Sequence, residues 1–167
     1  MSRTPIHITP LAERDLSACA HIMSSSLPWT RYQITEAAAQ RMWWDALATA
    51  ANVVVARLDG QTVGFAWYIE RGGFGLGGYL KLLGVQATTR GRGVGAALLD
   101  HVEWWAMEQG QRDLFLLVSD FNLAAQAFYQ TRGYVQLGEI PDFVVPGITE
   151  LIFRKCLVSD QQDRGEE

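Results

Sequence analysis

The sequence has little of several features that would point to other classes of protein. Its two cysteines, Cys19 and Cys156, cannot form a disulfide framework, and we expect both to be reduced in a cytoplasmic protein. The three histidines are scattered and lack the spacing of metal ligands, so we expect no metal site. The chain also lacks the long apolar run of a signal peptide or membrane span, so we expect no membrane partner.

The charge balance indicates a globular protein without a nucleic-acid-binding surface. There are 14 basic and 18 acidic residues among 167, a net charge of −4, whereas a nucleic-acid partner requires a basic face. Hydrophobic residues make up 49% of the chain and include six Trp and seven Phe, enough to fill the core of one domain. We predict a single domain over residues 1–158, followed by a polar, disordered tail over 159–167.

Apolar periodicity and turn residues predict the element order β-α-α-β-β-β-α-β-α-β-β. Asp59-Gly60 lies between two apolar runs, as in a β-hairpin, and Gly110 should end a long helix. Thr30-x-x-Gln33 resembles a capping box at the start of a helix, and the glycine-rich segment 71–78 is predicted to be a flexible connection. We expect an α/β fold with a single mixed, mostly antiparallel sheet of six to seven strands and helices on both faces.

The segment 90–96, Arg-Gly-Arg-Gly-Val-Gly-Ala, is the most informative part of the chain. It follows an apolar run that ends at Val85, and it opens an amphipathic helix. Three glycines in five residues let the backbone turn tightly, so that its N–H groups converge at the positive end of the helix dipole. Such a place typically binds a pyrophosphate.

Three other interpretations of these glycines remain as alternatives. Gly91-x-Gly93-x-x-Ala96 matches the dinucleotide-binding fingerprint, but five residues separate it from Val85, and no acidic residue ends the next strand at the expected distance. A nucleotide-triphosphate P-loop would require a Gly-Lys-Ser/Thr sequence, which does not follow. Glycines that only shape a tight turn would leave the two neighbouring arginines unexplained.

A second motif lies downstream, where Asn122 is followed by Tyr129 and then by Gly133-Tyr134. Together with Val85 and Arg90-Gly-Arg-Gly-Val-Gly95, this motif resembles the GCN5-related N-acetyltransferase (GNAT) family. The family's loop reads Gln/Arg-x-x-Gly-x-Gly/Ala, and its later motif reads N-x₆-Y-x₃-G-[FY]. The resemblance runs from about residue 5 to 156. It implies the acyl-CoA N-acyltransferase fold, acetyl-CoA as co-substrate without a metal, and a primary amine as acceptor.

The resemblance also implies roles for individual residues. Those expected to bind the cofactor through the loop, the fourth strand and the later motif are Leu83, Gly84, Val85, Arg90, Gly91, Arg92, Gly93, Val94, Gly95, Ala96 and Asn122. Gly84 is a plausible site of a bulge that would let the pantetheine arm pair with the strand. Asn122 could instead act only as a helix N-cap, and Arg92 could be a solvated side chain.

Tyr129 is the expected catalytic residue. A phenol with a pKa of roughly 10 stays protonated at neutral pH and can protonate a leaving thiolate whose thiol has a pKa of roughly 8.5. The alternative is a core tyrosine whose hydroxyl is satisfied within the protein.

The sequence does not identify the general base. Some family members that acetylate protein N-termini carry a Glu within strand 5. This chain has Leu117 there, so the resemblance extends neither to that base nor, on this residue, to that substrate. The remaining carboxylate candidates, each more typical of a surface residue, are Glu70, Asp120, Glu139 and Asp142. The acceptor site should be lined by variable segments, namely Leu27, Pro28, Trp29, Tyr32, the 71–78 segment and the 141–147 segment with Phe143. Core packing is the alternative role for Trp29 and Tyr32.

The resulting hypothesis is an N-acetyltransferase in which the amine attacks acetyl-CoA directly in a ternary complex. Neither cysteine lies near the expected thioester, which disfavours a covalent enzyme intermediate. The alternative is a non-catalytic acyl-CoA-binding sensor on the same fold. We expect a monomer or a homodimer.

Overall fold

The computed structural model describes residues 4–158, and its helices and strands follow the predicted order. The helices are α1 (Leu16–Ser24), α2 (Glu36–Ala48), α3 (Val94–Glu108) and α4 (Leu123–Thr131). The strands are β1 (His7–Pro10), β2 (Val53–Leu58), β3 (Gln61–Gly73), β4 (Gly77–Val85), β5 (Asp113–Ser119), β6 (Val135–Pro141) and β7 (Thr149–Cys156). The tail predicted over 159–167 lies outside the described residues.

The seven strands of residues 4–158 form one sheet in the order β1-β2-β3-β4-β5-β7-β6. The β1–β2, β2–β3, β5–β7 and β6–β7 pairs are antiparallel. The predicted α/β fold class is therefore confirmed. Two compact units make up the chain: the first is Met1–Tyr68 with Leu80–Val102, and the second is Ile69–Tyr79 with Glu103–Glu167.

A tight hairpin joins β2 to β3 in the first unit. Leu58 pairs with Gln61, and the two residues between them, Asp59 and Gly60, have φ values of 49° and 77°. A two-residue loop with both φ values positive is a type I′ turn, whose twist matches that of the strands it joins. The hairpin predicted from Asp59-Gly60 is confirmed.

Helices cover both faces of β3 in the first unit. The ring of Phe65 is fully buried and lies 4.6 Å, centroid to centroid, from that of Trp43 in α2. At the neighbouring Gly64, a Cβ atom would lie 3.0 Å from Leu98 and 3.1 Å from Val94, both in α3. Since successive strand residues point to opposite faces, α2 and α3 pack on opposite sides of β3.

A buried ion pair ties β2 and β3 to the start of α1. The Asp15 side chain is 0% exposed, and its Oδ1 lies 2.7 Å from Arg57 Nη2 and 2.6 Å from Thr62 Oγ1. Its Oδ2 accepts the backbone N–H of Ala12 at 2.9 Å. The carboxylate thus has several donors, which offset the cost of burying its charge.

The second unit is built on the antiparallel strands β5, β7 and β6. On one face of β5, Leu114, Leu116 and Val118 are at most 4% exposed, whereas the residues between them are half-buried. The apolar run 114–118 would predict a strand buried on both faces, but only one face of β5 is fully buried. At the end of β5, Ser119 pairs with Glu150 of β7.

The predicted start of the second helix is wrong. Helix α2 is capped by Thr35, whose Oγ1 accepts the backbone N–H of Ala38 at 3.2 Å. Residues 30–33 form turns instead, and Gln33 has a φ of 58°, which is incompatible with a helix. Thr30-x-x-Gln33 is thus not a capping box.

The glycine-rich segment 71–78 is mostly strand rather than a flexible connection. Strand β3 runs to Gly73 and β4 begins at Gly77, so only Phe74–Leu76 forms the turn. A Cβ atom on Gly73 would overlap the ring of Phe115, and one on Gly77 would lie 2.8 Å from that ring. These glycines provide space for a neighbouring side chain rather than flexibility.

Candidate active site

The glycine segment forms a tight turn immediately before α3. Gly91 and Gly93 have φ values of 74° and 88°, a region in which side chains other than glycine are strained. No atom lies within 4 Å of the position that a Cβ on Gly91 would take, so the turn faces open space there. Behind it, the buried Thr89 donates its hydroxyl to the carbonyl of Gln86 at 3.0 Å, which fixes the approach to the turn.

The first turn of α3 presents its N–H groups beside these glycines. The carbonyl of Gly93 accepts the N–H of Ala97 at 3.0 Å, which marks the start of the helix. The N–H groups of Val94, Gly95 and Ala96 lie in that first turn, where a helix offers them no carbonyl. They also lie at the positive end of the helix dipole. The predicted loop residues are thus brought together at a helix N-terminus, where backbone N–H groups and the helix dipole favour a negative charge.

An accessible cleft borders the turn. Arg90 and Arg92 are exposed, and Gly91, Arg92 and Gly93 line a cleft of about 730 Å³ within the first unit. Apolar atoms form part of its wall, from Ile6, Leu58, Ala96 and Ala97. The backbone of the turn is therefore reachable by a ligand.

The end of β4 is packed against an aromatic ring. Leu83 and Val85 are half-buried and Gly84 is buried. A Cβ atom on Gly84 would lie 2.5 Å from Cζ of Phe65, so the ring occupies the space of the missing side chain. This contact explains the glycine, while the bulge expected at Gly84 stays a prediction.

Asn122 caps α4 in the second unit. Its Oδ1 accepts the N–H of Ala125 at 3.3 Å, and its own N–H donates to the carbonyl of Ser119 at 2.9 Å. The side chain of Gln126 bonds to the carbonyls of Ser119 and Asp120 at 3.2 and 2.8 Å. The structural role predicted as an alternative for Asn122 is present. Its Nδ2 makes no hydrogen bond to residues 4–158, so both N–H donors can serve another partner.

Tyr129 lies on the buried face of α4 and is 7% exposed. Its ring packs edge-on against Phe128 and Tyr134, at centroid distances of 5.1 and 5.5 Å. Its hydroxyl makes no hydrogen bond to any of residues 4–158. Burial raises the pKa of this hydroxyl above its ordinary value, so Tyr129 stays protonated at neutral pH. A buried phenol without a partner differs from the satisfied core tyrosine that was the alternative.

The ring of Tyr134, which packs against that of Tyr129, belongs to a cluster of polar side chains. The hydroxyl of Tyr134 donates to Glu103 Oε1 at 2.9 Å, and Lys155 Nζ lies 2.8 Å from Glu103 Oε2. Burial, together with the charge and hydrogen bond of Glu103, raises the pKa of Tyr134. The Tyr134 hydroxyl thus donates a hydrogen bond within the protein, whereas the Tyr129 hydroxyl makes none to residues 4–158.

The carboxylates considered as bases have other roles or are exposed. Asp120 Oδ2 accepts the N–H of Thr149 at 3.4 Å, and Asp142 Oδ1 accepts the N–H of Gly147 at 2.6 Å. Both stabilise the connection into β7. Glu70, 4.0 Å from Arg71, and Glu139 are exposed.

Sequence reasoning missed Glu150, which is 3% exposed and bonded to Ser119. From the sequence alone, a glutamate at the start of a strand is expected to face solvent. Only its pairing with Ser119, whose side chain is a small hydroxyl, could have indicated that Glu150 is buried.

The segments expected to line the acceptor site divide into core and surface. Trp29 is buried, with its ring centroid 5.6 Å from that of Phe65, and Tyr32 packs against the same core. Core packing, the alternative for these two residues, is therefore present. Leu27 and Phe143 are exposed, at 51% and 60%.

Three further features bear on the chemistry available to the chain. Within residues 4–158, no three His, Cys, Asp or Glu side chains are grouped to hold a metal ion, and no helix there is long and apolar enough to cross a membrane. Cys19 is buried; burial and the charge of Asp15 raise its pKa to about 12. A thiol with that pKa does not form the thiolate that nucleophilic catalysis requires.

Comparison with known families finds one match over most of the chain. The model of the acetyltransferase (GNAT) family matches residues 16–134, which is more than half of the sequence. The match includes the glycine turn, Asn122, Tyr129 and Tyr134.

Solved structures show the same fold. Ard1 from Thermoplasma volcanium superimposes with a TM-score of 0.75 at 20% identity, over 92% of this chain and 99% of that one. The ribosomal-protein-S18-alanine N-acetyltransferase of Escherichia coli gives 0.72 at 18% identity, over 97% and 100%. The ribosomal-protein-alanine N-acetyltransferase of Brucella melitensis gives 0.71 at 23% identity, over 90% and 99%.

Proposed function

Because the chain belongs to the GNAT family of acetyltransferases, we propose that it transfers the acetyl group of acetyl-CoA to a primary amine, by direct attack in a ternary complex. The observation that carries this proposal is the turn at Gly91 and Gly93. Its left-handed glycines leave the backbone accessible at the positive end of α3. A pyrophosphate, with its two negative charges, matches that site.

The proposed binding roles follow from where the residues lie. The turn from Arg90 to Ala96 would hold the pyrophosphate through backbone N–H groups, with Arg90 and Arg92 adding charge. Leu83, Gly84 and Val85 would contact the pantetheine arm through their main chain. Asn122 would use the donors that its capping role leaves available.

Tyr129 would donate a proton to the sulfur as CoA leaves. Its hydroxyl has no hydrogen-bond partner among residues 4–158, and burial keeps it protonated. A positioned acid of this kind contributes roughly 10²–10⁴-fold to a rate. The buried Cys19, with its raised pKa, is a poor nucleophile, which disfavours a covalent intermediate on that residue.

The acceptor would meet a partly apolar surface. Leu27 and Phe143, which lie in two of the segments expected to line the acceptor site, are exposed. Two of the similar structures are named for alanine of ribosomal proteins, so N-terminal peptides belong among the acceptors to be tested.

Two free cysteines fit a cytoplasmic protein.

A pair of matched glycine variants tests the binding site. Gly91 and Gly60 have φ values of 74° and 77°, and a Cβ on either would meet no atom within 4 Å. Alanine therefore introduces the same backbone strain at both positions. Isothermal titration with acetyl-CoA should show an affinity roughly 10-fold or more lower for Gly91→Ala, which corresponds to about 1.4 kcal/mol. Gly60→Ala should bind normally, and equal effects in the two variants would contradict the assignment.

Release of free CoA with a panel of amines tests the reaction. Polyamines, aminoglycosides, amino acids and N-terminal peptides cover the classes of primary amine. Acetylation of any of them supports the proposal. Binding of acetyl-CoA with no turnover across the panel would instead indicate an acyl-CoA sensor.

A further inference from the structure

A buried carboxylate lies at the end of β5, and none of the roles proposed for the site uses it. Glu150 is 3% exposed and pairs in register with Ser119. The Ser119 hydroxyl lies 3.2 Å from Oε1 and 3.4 Å from Oε2 of Glu150. Burying a carboxylate is costly, so its presence inside the second unit calls for a specific role.

The carboxylate borders a half-buried apolar patch. Leu117 and Ile152 form the next same-face pair along the two strands, and both are only partly buried. Diagonal neighbours on an antiparallel pair are within reach of a long side chain. Glu150 therefore lies beside the half-buried face of β5 and not on the fully buried one.

The groups that face Glu150 within the second unit include one titratable hydroxyl. Burial, and then the charge of Glu150, raise the pKa of Tyr79 in β4. On β6 the register partner is Ile140, which brings no charge. Further along β7, Arg154 is ion-paired with Asp113 at 2.7 Å. Glu150 thus has the Ser119 hydroxyl and the Tyr79 phenol among its neighbours.

Ser119 also forms hydrogen bonds with the start of α4, the helix that carries Tyr129. The carbonyl of Ser119 accepts the N–H of Asn122 at 2.9 Å and the side-chain amide of Gln126 at 3.2 Å. Ser119 thus bonds Glu150 through its side chain and the start of α4 through its backbone. The carboxylate is therefore linked through Ser119 to the turn that precedes α4.

We propose that Glu150 accepts the proton of the acceptor's ammonium group, directly or through one bridging water. The inference rests on the proposed function and extends it by naming the general base. It also defines the acceptor as an aliphatic amine that is protonated at neutral pH. Such amines have a pKa of about 10.4 and need a base before they can attack.

Protons and electrons balance across the transfer. Glu150 takes one proton from the ammonium, and the nitrogen lone pair forms the bond to the thioester carbonyl carbon. The carbon–sulfur bond breaks with its electron pair on sulfur, which takes the proton of the Tyr129 hydroxyl. Tyr129 recovers a proton from the attacking nitrogen, and Glu150 releases its proton to water. One amide, one free thiol and one proton result.

The test is the pH dependence of kcat/KM for the best amine in wild type and in Glu150→Gln. The variant keeps the shape of the side chain and an oxygen for the Ser119 hydroxyl. We expect kcat/KM to fall roughly 10²–10⁴-fold at pH 7. It should then rise about tenfold per pH unit up to pH 9.5, because neutral amine becomes more abundant, so the gap to wild type closes.

The pH profile distinguishes proton transfer by Glu150 from a purely structural role. An unchanged kcat/KM in Glu150→Gln, or a loss of the same factor at every pH, would overturn the inference, since a structural role does not depend on the ionisation of the amine. The exposed Glu108→Gln should behave as wild type, and acetyl-CoA affinity by calorimetry should be equal in all three proteins. A wild-type protein that acetylates no amine would remove the proposed function and this inference together.

Discussion

Removing one hydroxyl from each of two adjacent tyrosines should separate catalysis from stability. The rings of Tyr129 and Tyr134 are both buried, with centroids 5.5 Å apart. Phenylalanine keeps each ring and its packing. The hydroxyls differ, because that of Tyr129 has no hydrogen bond to residues 4–158, whereas that of Tyr134 donates to Glu103 at 2.9 Å.

The expected magnitudes follow from that difference. Tyr129→Phe breaks no hydrogen bond, so its free energy of unfolding should change by no more than about 0.5 kcal/mol, while kcat falls roughly 10²–10⁴-fold. Tyr134→Phe removes a bond to a carboxylate, worth about 1.5–3 kcal/mol. Lys155 still pairs with Glu103, so the carboxylate keeps one partner. At about 2–4 °C per kcal/mol for a chain of this size, the melting temperature should fall by about 3–12 °C.

Two measurements on each variant decide the matter. Thermal unfolding gives stability, and CoA release at saturating substrates gives kcat, with the acetyl-CoA dissociation constant measured separately. We expect Tyr129→Phe to keep its melting temperature and to lose kcat. Tyr134→Phe should have a lower melting temperature and a kcat within about threefold of wild type. A threefold change is too small for the loss of a proton donor. A Tyr129→Phe enzyme with normal kcat, or losses of kcat in both variants that follow their losses of stability, would refute the catalytic role of Tyr129.

Two further predictions concern the scaffold that positions the site. Asp15→Ala leaves Arg57 largely buried without its carboxylate, so thermal or denaturant unfolding should show a loss of about 3–5 kcal/mol, and an unaltered stability would contradict the buried ion pair. Gly84→Ala places a Cβ atom 2.5 Å from the Phe65 ring and should cost about 1–3 kcal/mol. Gly138→Ala, where a Cβ atom meets nothing within 4 Å, is the control and should unfold as wild type does.

Local signals in the sequence predicted most of the fold. Asp59-Gly60 determines a type I′ turn by its own backbone preferences, and Gly110, with a φ of 70°, follows α3 as the C-terminal glycine should. Asn122 was recognisable as a cap because the capping bond spans only three residues. In each case the residues that decide the structure are neighbours in the chain.

Features that depend on distant residues were not predictable in the same way. Thr30 and Thr35 are equally suitable caps on local grounds, and the positive φ of Gln33 distinguishes them only in the folded chain. The glycines at 73 and 77 looked flexible because the ring of Phe115, which fills the space beside them, is about forty residues away.

The proposed general base shows the same limit within the site. Asp120 and Asp142 were natural candidates because they lie near motif residues or in a predicted acceptor loop, yet each bonds backbone of the connection into β7. Glu150 became visible only through the β5–β7 register, which places it opposite Ser119 across 31 residues of sequence. A one-residue shift in that register would turn Glu150 to the other face of the sheet, so its proposed role depends on strand pairing and not on any motif.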